Sequence, residues 1–257
     1  MKTLSLLGIP FNTIDIEEAL KAAEGRIRDK KPNYICFIST HPAVEAYFNK
    51  DYRAVLHKAS LVLPDGMPIV WAARIFGQKI KNRVYGPDFM LKLLELSEKK
   101  GYSNFFYGGK SDEALKKLLS NIKASFPHLK IVGSYNPPFY ELNKKEDELI
   151  LQKIRASNPD ILWIGLGGLK KDYWMYRHKE SLPGVLQLGV GAAFDFHAGI
   201  VKQAPNWMQH NGLEWLFRLI QEPKRLWKRY LKCVPLFIVL VFMQYFNIIK
   251  SEKNERN

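Results

Sequence analysis

Ile161-Leu162-Trp163-Ile164-Gly165-Leu166-Gly167-Gly168, ILWIGLGG, joins a run of large apolar residues to a glycine-rich break. A strand with one wet face alternates polar and apolar side chains; this run does not. It reads as a strand covered on both faces, as in a parallel sheet. The same pattern recurs in YICFIS (Tyr34–Ser39), LVLPDGM (Leu61–Met67), NFFYGG (Asn104–Gly109) and VLQLGVGAAF (Val185–Phe194). LSLLGI (Leu4–Ile9) and LKIVGSY (Leu129–Tyr135) read as further strands. Helical patterns lie between them: one opening at Asp15, then about 42–49, 68–77, Asp88–Lys100, Ser111–Phe126 and about Lys144–Ser157. Strand–helix alternation predicts an α/β fold, a Rossmann-like parallel sheet core with helices on both faces.

The chain has 257 residues, enough for a sizeable core, and its 47% apolar content argues for a folded protein. Cys36 and Cys233 lie far apart and suggest neither a disulfide framework nor a metal site. A reducing cytoplasm is the simplest compartment. The opening MKTLSLLGIPFN lacks the long apolar region and cleavage site of a signal peptide. Net charge is +14, which favours an anionic partner. Lys224, Arg225, Lys228, Arg229 and Lys232 crowd into nine residues, just ahead of the apolar run Val234–Ile249. That run is shorter than the roughly 20 residues a spanning helix needs. A helix lying on an anionic leaflet fits this order; a helix packed on the core with a solvated basic face is the alternative. The best boundary is near Gln203-Ala204-Pro205, dividing a core (1–204) from a helical, basic, membrane-associating appendage (205–257).

Ligands of open parallel sheets bind beyond the carboxyl ends of the strands. Those ends read STHP (Ser39–Pro42), PDGM (Pro64–Met67), YGGK (Tyr107–Lys110), GLGG (Gly165–Gly168) and GVGAAFDF (Gly189–Phe196). Gly108, Gly109, Gly167, Gly189 and Gly191 would let backbone amides approach phosphates, although tight strand–helix turns use glycine as well. The G-x-G-x-x-G fingerprint and the P-loop signature are absent, which counts against a dehydrogenase and a Walker-type ATPase. No H-E-x-x-H, cysteine pair or Asp-x-Asp points to a metal, so phosphate charge falls to protein cations.

LVLPDGMPIVWAARIFGQKIKNRVYGPDFM (Leu61–Met90), NPDILWIGLGG, and GVGAAFDFHAGIVKQAPNWMQHNGLEWLFRLIQEPKRLWKRYL (Gly189–Leu231) closely resemble the WecG/TagA/CpsF glycosyltransferases. The resemblance spans about residues 4–232 and looks most like the exopolysaccharide branch. It implies the GT-E fold, whose C-terminal helical appendage reaches the membrane and helps close the active site. It also implies transfer from a UDP-sugar donor to a polyprenyl-diphosphate-linked acceptor, with inversion and without a metal or other cofactor. Asp65 falls on the family's catalytic base, with Gly66 beside it; the bland reading is a turn aspartate. The motif's fourth position, often glycine, is Pro68.

The resemblance sets Ser39, Thr40, His41 and Pro42 on the family's T-x-N-P segment, which binds near the donor; a lone His at such a turn is more often structural. Arg83 and Asp88 match RVxGxD, and Arg83 either meets a phosphate or pairs with a carboxylate. Where the family has GLGxPKQE, this chain has Lys171 and Asp172, so Lys171 offers a cation to the leaving group in place of a glutamine. Asp195 matches a nucleotide-contacting aspartate, or else caps a turn. Arg218, Arg225 and Lys228, with Arg229 adjacent, match positions set over the diphosphate. Trp207, Trp215, Phe217 and Trp227 read as packing or lipid-interface residues. The resemblance thus points to a peripheral enzyme on the cytoplasmic face of the plasma membrane, with no nucleic-acid partner and with self-association left open. The rival is a non-catalytic basic protein of the same fold, bound to membrane or nucleic acid.

Overall fold

The computed structural model describes residues 2–138, 140 and 142–249. The chain opens with β1 (Thr3–Leu6), β2 (Ile9–Asn12), α1 (Ile16–Asp29) and β3 (Asn33–Ile38). It continues through α2 (Thr40–Phe48), α3 (Lys50–Lys58), β4 (Leu61–Pro64), α4 (Met67–Ile75) and α5 (Gly86–Lys100). Then follow β5 (Ser103–Gly108), α6 (Asp112–Ser125), β6 (Lys130–Tyr135), α7 (Lys144–Ser157) and β7 (Ile161–Gly165). The last elements are α8 (Lys170–His178), β8 (Leu186–Gly189), α9 (Ala193–His197), α10 (Asn206–His210), α11 (Glu214–Gln221) and α12 (Pro223–Tyr245).

Among the described residues, six strands form one all-parallel sheet in the order β4-β3-β8-β7-β5-β6, flanked by helices. The doubly covered strands explain the unbroken apolar runs: Ile161, Leu162, Trp163 and Ile164 are all fully buried. Trp163 keeps its indole satisfied by donating to Asn104 Oδ1 (2.9 Å). The Asn104 amide in turn donates to Ser97 Oγ (2.7 Å) and the Tyr102 carbonyl (2.9 Å). Such a buried polar group is tolerated only because its partners are present.

The structure differs from the sequence reading at several places, three of them with a plain physical cause. Leu4–Ile9 is not one strand: Leu7 and Gly8, at φ 53° and 74°, turn the chain into the antiparallel β1–β2 hairpin. Two successive positive φ values are what a two-residue hairpin turn of matching twist requires. Helix α2 starts at Thr40, because Pro42 sits in its first turn where no backbone donor is needed. Asn49 then ends α2 and starts α3, donating its N–H to Glu45 O and accepting from Tyr52 N–H. Helix α8 follows GLGG, and α9 takes up Ala193-Phe194 from the end of the expected strand.

The chain divides into two compact units. One comprises Met1–Ile16, Phe37–Tyr85 and Gln203–Asn257; the other comprises Glu17–Cys36 and Gly86–Lys202. Residues 250–257, the end of the expected appendage, lie outside the described residues. In the first unit α12 packs on α2, and Leu226, Cys233, Phe237, Leu240 and Val241 form its buried face. Its opposite face exposes Trp227, Leu231, Ile238, Phe242 and Tyr245. No helix among the described residues is long and apolar enough to cross a membrane. Gln244, which interrupts the apolar run in the sequence, is buried: its Oε1 accepts from Leu7 N–H (2.7 Å) and its Nε2 donates to Ser5 O (2.9 Å). The helix end is thereby fastened to the hairpin. Gln244→Leu leaves the buried Leu7 N–H without an acceptor. Its urea midpoint should fall by the equivalent of about 1–3 kcal/mol at unchanged m-value.

Candidate active site

In the first unit, β3 and β4 end side by side. The Asp65 N–H donates to the Ile38 carbonyl (3.0 Å), which sets the half-buried aspartate one residue beyond β4. Gly66 is the N-cap of α4, with extended backbone, and its carbonyl accepts from Ile69 and Val70. Pro68 falls in the first turn of α4, where a missing N–H is no loss. The departure from the family's glycine therefore fits the helix start. Ser39 is the N-cap of α2 and lies alongside Gly66: a Cβ at position 66 would sit 3.6 Å from the Ser39 Cβ. Thr40 and His41 form the first turn of α2, both half-buried, and His41 Nε2 stands 3.7 Å from Glu45 Oε1.

Arg83 is the hub of this unit. Its side chain is only 9% exposed. Nη1 donates to Glu214 Oε2 (2.5 Å) and, at 3.4 Å, to the Asp65 carbonyl; Nη2 donates to Gln209 Oε1 (3.0 Å). The guanidinium lies 3.9 Å above the Tyr85 ring, and the Tyr85 hydroxyl donates to the other Glu214 oxygen (3.0 Å). Burial works against the Arg83 charge, but the Glu214 and Asp65 carboxylates outweigh it and hold the group above its ordinary pKa. Burial, with the same two carboxylates, pushes the Tyr85 hydroxyl far up, so it stays a donor. Of the two roles open for Arg83, the structure shows an ion pair. Its partners Glu214 and Gln209 escaped the sequence reading: both sit in the family-like block, but nothing local marks them as meeting a residue some 130 positions earlier.

The cations expected over a diphosphate lie on α11 and α12. Arg218 is half-buried and follows Glu214 by one turn, on the same face. Arg225, Lys228 and Arg229 are exposed. Arg225 is ion-paired with Glu222, and the Lys228 ammonium lies 5.6 Å from the Trp227 ring centre. Burial holds the hydroxyl of the half-buried Tyr230 above its ordinary pKa, against the opposing pull of Arg218, Arg229 and Arg225.

The second unit carries the glycine-lined ends of β5, β7 and β8. Two of the expected phosphate-approach glycines stand close to neighbours, Gly108 against fixed backbone and Gly189 against the movable end of a side chain. A Cβ at Gly108 would meet the Gly165 backbone at 2.8 Å, and one at Gly189 would meet Met175 at 2.6 Å. Gly165 itself lets Phe194 of α9 pack on the strand end, where a Cβ would approach to 2.3 Å. At Gly109 (φ 136°) and Gly191 (φ 53°) the backbone conformation itself favours glycine. Gly167 is exposed with nothing within 4 Å of such an atom, so packing does not account for it.

Lys171 is 7% exposed. Its ammonium donates to Asp172 Oδ2 (2.8 Å) and Gly168 O (3.4 Å), so the two family departures form a buried ion pair with each other. Burial, then Asp172, drives the neighbouring Cys36 thiol well up. Asp195 is half-buried within the first turn of α9, whose N-cap is Ala192. There the helix dipole favours a carboxylate. Its carbonyl closes the following turn by accepting from Ile200 and Val201.

The chain matches the Glycosyl transferase WecG/TagA/CpsF family over residues 4–251. A Bacillus subtilis (strain 168) protein named N-acetylglucosaminyldiphosphoundecaprenol N-acetyl-beta-D-mannosaminyltransferase is 30% identical over 257 residues, covering 100% of this chain and 94% of the relative. A protein of the same name from Bacillus spizizenii (strain ATCC 23059 / NRRL B-14472 / W23) is 30% identical over 79% of this chain and 77% of its own. One from Staphylococcus aureus (strain MW2), again of that name, is 22% identical over 91% of this chain and 90% of its own.

The Arg83 network makes a stability prediction. Arg83→Met strands Glu214 without its cation and should cost about 3–5 kcal/mol in chemical denaturation. Adding Glu214→Leu should recover part of that loss, a coupling that a double-mutant cycle reads directly.

Proposed function

Because the chain belongs to the Glycosyl transferase WecG/TagA/CpsF family and is a glycosyltransferase, we propose that it moves a sugar from a UDP-sugar to an undecaprenyl-diphosphate-linked saccharide. In this reading the anomeric carbon is inverted, no metal takes part, and the product enters surface-polysaccharide synthesis. The relatives' names motivate the finer assignment: N-acetylglucosaminyl-diphosphoundecaprenol as acceptor and N-acetylmannosamine as the transferred sugar.

One observation carries the reading. Asp65 stands at the carboxyl end of β4, with its backbone held on both sides by Ile38 and Arg83. A general base needs a carboxylate in a fixed place within reach of the acceptor hydroxyl. Asp65 takes the hydroxyl proton as that oxygen bonds to the anomeric carbon. The bond from that carbon to the phosphate oxygen breaks, and UDP leaves with the electron pair. The charge gathering on the diphosphate falls to Arg218, Arg225, Lys228 and Arg229, guanidinium groups being suited to paired bonds with phosphate oxygens. Ser39, Thr40, His41 and Gly66 take the donor side of Asp65, with Gly109, Gly167, Gly191 and Asp195 assigned to the nucleotide. Lys171 supports that assignment least, since its charge is already spent on Asp172.

Asp65→Asn tests the chemistry. The amide keeps the shape but accepts no proton, so kcat should fall by about 10²–10⁴ while calorimetry shows UDP binding unchanged. Near-normal turnover would remove Asp65 from its role.

The outer face of α12 supports docking on a membrane surface, which this reading takes to be the cytoplasmic face of the plasma membrane. Leu231, Ile238, Phe242 and Tyr245 present apolar area toward solvent, within and after the cationic stretch Lys224–Lys232 of the same helix. Ile238→Asp with Phe242→Asp should abolish co-flotation with phosphatidylglycerol vesicles and leave the thermal midpoint intact. Retained flotation would move the contact elsewhere.

A further inference from the structure

Helix α2 carries His41 and Glu45 one turn apart, which puts both on one face. Helix α12 packs on α2 and brings Cys233 to the same place from the far end of the chain. One potential ligand atom from each of the three residues lies within 4.8 Å of the others, and His41 Nε2 is 3.7 Å from Glu45 Oε1. The thiol is buried, while the imidazole and carboxylate are half-buried and open toward solvent. Sequence spacing hides this group, because 188 positions separate Glu45 from Cys233.

We propose that His41, Glu45 and Cys233 form a binding site for a single zinc-class divalent cation, which clamps the basic helix α12 to α2. The donor set argues for the ion. One imidazole nitrogen, one carboxylate oxygen and one thiolate sulfur suit a borderline-soft metal and do not suit calcium or magnesium, which take oxygen alone. Ligand atoms around tetrahedral zinc stand roughly 3.4–3.6 Å apart, given metal–nitrogen and metal–sulfur distances near 2.0 and 2.3 Å. Side-chain rotation of about 1 Å closes the present spacing. Thiolate and carboxylate together carry two negative charges, so a divalent ion leaves the half-buried cluster neutral. On binding, the sulfur–metal bond replaces the S–H bond and the proton goes to solvent. A water completes the fourth position on the side where His41 and Glu45 are open. Arg229 and Lys232, on the same helix as Cys233, are exposed, where salt screens their repulsion of the ion. The ion's task is mechanical: it joins the segment Ser39–Pro42 at the end of β3 to the helix bearing Arg225, Lys228 and Arg229. It takes no part in the transfer step.

The test uses the full chain, stripped with chelator, desalted, and titrated with Zn²⁺ alone against a chromophoric competitor. About one equivalent should bind, and Cys233→Ala and Glu45→Gln should each weaken the affinity by at least about tenfold. Titration with Co²⁺ should give a thiolate-to-metal charge-transfer band in the near ultraviolet that Cys233→Ala removes. Glu45 is half-buried at the surface, so its variant keeps the test decisive if Cys233→Ala fails to fold. Absence of stoichiometric binding, or wild-type affinity in Glu45→Gln, would overturn the site. Survival of the charge-transfer band in a folded Cys233→Ala protein would assign the sulfur to Cys36 and overturn it equally.

Discussion

A guanidinium cannot leave water alone. Arg83 is nearly buried, and its charge is held there by Glu214, by Gln209, by the Asp65 carbonyl and by the Tyr85 ring. This arrangement ties three stretches of chain together: the loop after β4, the segment leading to α5, and the helices α10 and α11. The backbone of the proposed base is anchored by the same cation that orders the start of the basic region. The proposed base and the scaffold therefore share one ion pair.

Helix α12 resolves a tension between two readings of one segment. It is a packed core helix along Leu226, Cys233, Phe237, Leu240 and Val241, and an exposed apolar strip along Leu231, Ile238, Phe242 and Tyr245. A helix has faces enough for both. Gln244 lies on the packed face and gives its amide to the β1–β2 hairpin, so the polar interruption of the run serves the interior. Tyr245 meets the Phe76 ring at its edge, while Leu231, Ile238 and Phe242 stay largely exposed, and this supports the membrane reading.

Glycine carried two meanings that the sequence did not separate. At Gly108 and Gly165 a side chain would strike backbone or the buried Phe194 ring within 3 Å, so packing alone demands glycine there; at Gly189 it would meet only the movable end of Met175. Gly167 meets no such obstacle. The Lys171-Asp172 pair teaches a similar lesson. Read along the chain it is an added cation near a leaving group; in three dimensions each residue neutralises the other in the interior.

The parallel sheet was legible because strands buried on both faces must be apolar throughout, and that demand is local. The positions of Asp65 and of most helices followed from the same local rules of capping and strand ends. The family-like block marked Arg83, Arg218 and Arg225 as residues of interest. The hairpin at Leu7-Gly8, the Glu214 partner of Arg83, the burial of Lys171 and the meeting of His41 with Cys233 were not legible. Each depends on where distant segments pack, and side-chain pairing across the fold leaves no periodic trace in the chain. Burial and charge neutralisation are properties of the folded surroundings, so only the tertiary structure decided which cations stay exposed and which are paired within the protein.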